Sequence, residues 1–290
     1  MGDLAPTQTT PTANPLSAAT ALGDAFTYVF PGFSNFFRLS WKFLLFVVVA
    51  AACFFGVIYL SIRAENDTGI IAASVCAMLF GMLVSVAYYI VIARNWLLNE
   101  TDPQFLTVYG PFLLRVIGLS LLMVALMTAI FLPVLLAGIA GFEYFLGDDE
   151  TSPAAGFFVL ALIALGLVAL FAVLAGAYVA GRITPWMVAA AIPSPMSLRE
   201  SWAATKGAGL RILGGMVGLI IIFMIIDVAV EGALLPLLGV TSESFEKLAE
   251  GNVPLPALFA LLLAKILVYL PQTALGMVYC ASVYRQASGR

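Results

Sequence analysis

The chain contains no histidine. That absence removes the usual proton shuttle, the commonest metal ligand and any Ser/His/Asp arrangement. Charge is also scarce: 10% of the 290 residues are Asp, Glu, Lys or Arg, against 62% hydrophobic. A soluble domain carries about a quarter charged residues and is about half apolar, so a soluble globule is excluded and a polytopic membrane protein is expected. The three cysteines, Cys53, Cys76 and Cys280, fall in apolar segments, where they read as buried free thiols rather than a disulfide framework or thiolate metal site. The sequence has no phosphate loop, nucleophile elbow or basic nucleic-acid surface. No enzymatic activity, cofactor, metal or nucleic-acid partner is therefore expected.

What the sequence does have is long apolar runs, six of them at about 42–63, 70–93, 111–140, 154–181, 212–238 and 254–284. Each meets the requirement of roughly 20 apolar residues for a helix crossing a bilayer. Residues 1–20, rich in Thr, Pro, Ala and Ser with Asp3 as their one charge, read as a disordered cytoplasmic tail, and 21–290 as the six-helix transmembrane domain. From Ala21 to Phe37 the chain is aromatic and apolar, with breaks at Pro31 and Gly32, before Arg38, Trp41 and Lys42 mark an interface.

Charge is segregated between alternate connections. The hairpin loops near 64–69, 141–153 and 240–253 hold nine acids and only Arg63 and Lys247 as bases, while the other connections and the C-terminus hold ten Lys/Arg. The positive-inside rule then places both termini in the cytoplasm, and the chain is expected in a bacterial inner membrane. An internal repeat is also expected. Each pair of spans follows a cytoplasmic interfacial segment and ends on a small residue, a tyrosine and then an arginine, as in Ala87-Tyr88 to Arg94, Ala177-Tyr178 to Arg182, and Val278-Tyr279 to Arg285. The fold expected is all-α, with three pseudo-repeated hairpins related by an axis along the membrane normal.

Between the fourth and fifth spans, Ser197 and Glu200 have capping-box spacing, which predicts a short helix beginning at Leu198. Leu198, Trp202 and Thr205 share one face of it, suiting a helix that lies at headgroup level. Thr101 and Gln104 repeat the spacing before the third span. Arg182, Arg199, Lys206 and Arg211 surround the short helix and are candidate contacts for anionic headgroups, at about 1 kcal/mol each.

Asp227, Glu231 and Lys265 are the charges placed deep within spans. Asp227 and Lys265 are equidistant from a turn near residue 246 and so lie at one depth on adjacent helices. An isolated charge at that depth costs about 2.5 to 3.5 kcal/mol, which pairing would offset. Lys265, Tyr269 and Gln272, spaced four and three apart, fall on one helical face. Together with Asp227 and Glu231 they form either an interhelical ion pair that fixes register or a polar site for an ion, proton or small substrate.

Tyr178-Val-Ala-Gly-Arg182, Ser197-Leu-Arg-Glu-Ser-Trp202-Ala-Ala-Thr-Lys206-Gly207, Arg38-Leu-Ser-Trp41, Arg94-Asn-Trp-Leu-Leu-Asn-Glu100 and Tyr284-Arg285-Gln-Ala-Ser-Gly289 resemble a family of uncharacterised six-span bacterial inner-membrane proteins. The chain is more distantly similar to the membrane domain attached to some glycerophosphodiester phosphodiesterases, whose catalytic domain has no counterpart in it. The resemblance implies the six-span topology and no activity. The expected function is a non-enzymatic module binding membrane lipid headgroups or a membrane partner protein. The alternative is a small transporter or proton-coupled carrier using Asp227, Glu231 and Lys265.

Overall fold

The computed structural model describes residues 16–64, 66–100, 106–146, 154–193, 196–237 and 255–289. Among them are eight α-helices and no strand: α1 (Ala18–Val29), α2 (Phe33–Arg63), α3 (Asp67–Leu98), α4 (Leu106–Leu146), α5 (Ala154–Val188), α6 (Leu198–Ala204), α7 (Gly209–Leu237) and α8 (Leu255–Ser288). A 3-10 turn, Ala189–Ala191, follows α5. Five of these helices, α2, α3, α5, α7 and α8, are long and apolar enough to cross a membrane, which makes this a multi-pass membrane protein by length and composition. The third expected span, 111–140, lies inside α4, of which Thr107–Leu122 is the described apolar stretch.

The helix ends follow local chemistry. Asn66 caps α3 by accepting from the Gly69 amide at 3.0 Å, and Asn99 terminates the same helix in the left-handed region at φ 55°, a conformation asparagine tolerates better than most residues. At the other end of the chain, the expected tail of 1–20 stops earlier than its composition suggests. The Ser17 hydroxyl accepts from the Thr20 amide at 3.2 Å and starts α1 at Ala18; the tail before Leu16 lies outside the described residues. The break at Pro31 and Gly32 is present as the turn between α1 and α2. Glycine is needed there, since a Cβ at Gly32 would stand 2.5 Å from the Tyr28 carbonyl oxygen.

The final helix, α8, is the pillar against which α1, α2, α3, α5, α6 and α7 all pack. Its C-terminal half, from Leu270 to Tyr284, supplies much of the buried core together with Ala21, Ala25 and Val29 of α1, the last turns of α3, and Val188–Ile192. The core therefore concentrates at the end of the bundle where both described chain ends meet, joined by the Ser17 amide donating to Gln286 Oε1 at 2.8 Å. Along the spans large apolar side chains such as Leu45, Leu60, Met78, Ile225 and Val228 point outward, as expected where the solvent is lipid. Cys53 and Cys76 are exposed as well, and Cys280 is half-buried, so the thiols expected to be buried mostly face outward.

Candidate functional site

The charges of α7 and α8 do meet. The Lys265 ammonium lies 2.5 Å from Glu231 Oε1 and 3.8 Å from Asp227 Oδ1, so the nearer partner is Glu231 rather than Asp227. One turn of helix separates the two carboxylates, which places both within reach of one ammonium. Gln272 extends the group by donating to Asp227 Oδ1 and to the Phe223 carbonyl, both at 3.4 Å. The three charged side chains are 33 to 47% exposed, so the cluster sits at the flank of the α7–α8 seam.

Tyr269 does not join it. Its hydroxyl lies 3.2 Å from Ser85 Oγ on α3. The physical reason is the angular spread within one helix face. Residues seven apart fall back by only about 20° per heptad, so Lys265, Gln272 and Tyr279 all face α7, whereas Tyr269, four residues on and so about 40° to the other side of Lys265, is turned toward α3. Tyr279 completes the α7 seam by donating to the Ile212 carbonyl at 2.8 Å, and Gly215 leaves room for its ring, which a Cβ there would overlap.

The second concentration of polar groups is at the core end. Ser197 and Glu200 form the expected capping box around the start of α6, and the Ser197 amide holds the Glu200 carboxyl below the usual carboxylate range. The buried face of α6, however, is Ser201 and Thr205, while Leu198 and Trp202 are 49% and 40% exposed. Thr205, expected to share the face of Leu198 and Trp202, is instead turned inward beside Ser201. The cause lies in α5, where Pro185 interrupts the helix. The Ser201 hydroxyl inserts into the ladder beside it, donating to the Arg182 carbonyl at 2.8 Å and accepting from the Trp186 amide at 3.2 Å. A side chain between an i and i+4 backbone pair is one of the few ways a helix is opened. Ser201→Ala should take this partner from the Trp186 amide and leave the Arg182 carbonyl only the longer bond from Thr205 Oγ1 at 3.3 Å, at a cost of about 1 to 3 kcal/mol. Chemical or thermal unfolding in detergent would read this, and a change within 0.5 kcal/mol, roughly the scatter of a neutral surface substitution, would refute the bridge.

Arg182 is 8% exposed and fully engaged. Its guanidinium donates to the Trp202 carbonyl at 2.5 Å and to Thr205 Oγ1 at 3.3 Å, and lies 3.8 Å from the Trp202 ring centroid. It is an anchor for α6, and headgroup contact at this position is closed off. Two further arginines do comparable work. Arg94, 9% exposed, forks onto both Glu100 carboxylate oxygens at 2.7 Å and donates to the Ala191 carbonyl at 3.0 Å. Arg285 pairs with Asp24 of α1 at 2.7 Å and faces the Trp96 ring at 5.1 Å.

Comparison of the chain with protein-family models, curated proteins and solved structures finds no match. Function is therefore argued from geometry. Arg199, Lys206 and Arg211 are exposed, and among the described residues none of them has an ion-pair partner. Among the described residues no group of three or more His, Cys, Asp or Glu is placed to hold a metal ion. The Thr101/Gln104 capping spacing lies outside the described residues. Sequence reasoning missed the pairs Arg94–Glu100 and Arg285–Asp24. The one available signal was that Asp24 is the sole acid in an otherwise aromatic and apolar stretch.

Proposed function

We propose that the chain is a non-enzymatic, six-span inner-membrane module whose core end, cytoplasmic by the charge count, binds anionic lipid headgroups. The carrying observation is the division among its basic residues. Arg94, Arg182 and Arg285 are satisfied internally, while Arg199, Lys206 and Arg211 are left exposed and unpaired among the described residues. Cations near an anionic surface contribute about 1 kcal/mol each.

Two further observations support the architecture. Helix α4, at 41 residues, exceeds the length needed to cross the hydrocarbon core and supplies the sixth span. Each hairpin-ending arginine also holds the interfacial segment that precedes another hairpin: Arg94 holds Glu100, Arg182 holds α6, and Arg285 reaches back to α1. That cyclic order is what three pseudo-repeated hairpins around one axis would produce. A partner protein on the same face is the other occupant this surface would suit.

The test is neutralisation of the rim. Arg199→Gln, Lys206→Gln and Arg211→Gln together should weaken retention of phosphatidylglycerol by on the order of a hundredfold, measured by native mass spectrometry of protein released from nanodiscs. Unchanged retention would remove the basis of the headgroup reading. A carrier function is the second reading, favoured by the position of Lys265 between two carboxylates within the spans.

A further inference from the structure

Below α1 the first two spans enclose a second polar feature, which the rim does not include. A cleft of about 590 Å³ opens between α1, the start of α2 and the end of α3, within the roughly 300 to 1,000 Å³ typical of small-ligand sites. Arg38 and Lys42 line it from α2, with Asn35 a turn earlier and Asn95 and Asn99 across from them on α3 and its cap. Arg38 and Lys42 stand four residues apart, hence on one helix face, where like charges repel and cost helix stability. Among the described residues neither has an ion-pair partner. The acids that could serve are already held, Glu100 by Arg94 and Asp24 by Arg285. No carboxylate lines the cleft. Its floor is fixed by Tyr28 donating to Asn95 Oδ1 at 2.8 Å and by Asn95 donating to the Glu100 carbonyl at 2.8 Å. Two cations and the amides of Asn35 and Asn99 therefore line a space with room for a phosphate and the groups attached to it.

We propose that this cleft is a discrete binding site for the phosphate of an anionic phospholipid, with Arg38 and Lys42 as its two cationic ligands. The inference rests on the reading of the chain as a headgroup-binding membrane module, and adds a specific site to it. A lipid is favoured over a soluble phosphate by what surrounds the cleft. Trp41 lines the cleft and is exposed, and Phe33 and Phe37 are exposed on the same opening turns of α2, an aromatic fringe of the kind found at the headgroup level of membrane proteins. Leu45, Phe46 and Val49, which are three, four and seven residues past Lys42 and so continue its face toward the span interior, are all more than half exposed. A lipid whose phosphate sits between Arg38 and Lys42 would lay its acyl chains along that stripe. A soluble phosphate makes no use of it.

The test uses the full chain in detergent micelles, titrated with phosphatidylglycerol, with phosphatidylethanolamine as the zwitterionic control, and read by native mass spectrometry. Arg38→Gln with Lys42→Gln should weaken retention of one phosphatidylglycerol by on the order of thirtyfold while adducts at the Arg199, Lys206 and Arg211 rim persist. Asn35→Asp, which puts a carboxylate into the cleft and removes no cation, should weaken it as well, and its melting temperature shows whether the fold is intact. Retention unchanged in both cleft variants but lost in the rim variant overturns the cleft site and leaves the broader reading standing. Retention unchanged in cleft and rim variants alike overturns both. Equal retention of phosphatidylethanolamine, or displacement of the lipid by millimolar inorganic phosphate, overturns the assignment to an anionic lipid.

Discussion

Replacing Arg182 with methionine should release α6 from the end of α5 at a local cost of about 3 kcal/mol. Two terms combine. The Trp202 carbonyl loses its charged donor, and a hydrogen bond to a charged group is worth about 1.5 to 3 kcal/mol. The guanidinium also stacks 3.8 Å from the Trp202 ring centroid, a contact worth about 2 kcal/mol when desolvated. Methionine keeps some of the packing and so returns part of this. Opening by 3 kcal/mol corresponds to amide exchange about a hundredfold faster over 198–208. Arg199 and Lys206 carry exposed side chains within that segment, so trypsin should cut there sooner than in the parent protein. Arg182→Lys separates charge from shape. An ammonium cannot present the planar fork that reaches Trp202 and Thr205 together while stacking on a ring, so most of the destabilisation should remain. Parent-like exchange in the lysine variant would show that Arg182 acts only as a point charge.

How far this arrangement could be read from residues alone varies with the range of the interaction. The capping box of Ser197 and Glu200 spans three residues, and spacing was enough to find it. The meeting of Lys265 with Asp227 and Glu231 was also accessible, because charge within a span is costly and equal depth on adjacent helices leaves few partners. The side of α6 that faces inward was not. Counting puts Leu198, Trp202 and Thr205 on one face, yet Thr205 turns inward beside Ser201, because the docking surface is a backbone opened at Pro185, and a hydroxyl from Ser201 satisfies it where an apolar side chain could not. Tyr269 was assigned to the charge cluster because helical period reports which residues share a face and is silent on where one face divides between two neighbours. Arg182, Arg94 and Arg285 all read as interfacial charge, since a partner brought up by another segment leaves no mark on local composition. Span limits shifted for the same reason. Helix α2 starts at Phe33, well before the hydrophobic run at residue 42, because its first turns are packed at the core end beside α1.

The core end and the charge cluster therefore make different demands. At the core end, arginines are hydrogen-bonded and the elements they hold are short, so the loss of one side chain acts locally. In the spans, Lys265 stands between two carboxylates on one helix, and its loss is felt by the seam as a whole. Lys265→Met should cost about 3 kcal/mol, since it leaves two like charges one turn apart within an apolar span without a cation. The exposure of the cluster, 33 to 47%, keeps the figure at the lower end of what a buried pair would lose. Neutralising all three positions together, Asp227→Asn, Glu231→Gln and Lys265→Met, removes the unpaired charges as well as the attraction and should restore stability to within about 1 kcal/mol of the parent. Reversible unfolding in mixed micelles would measure both. If the triple variant is as unstable as Lys265→Met, charge pairing is not what the cluster contributes to the seam. The same triple variant separates register from transport: with stability restored, a carrier would lose proton flux in proteoliposomes, whereas a seam that only sets register would leave the headgroup retention of the protein unchanged and have no flux to lose.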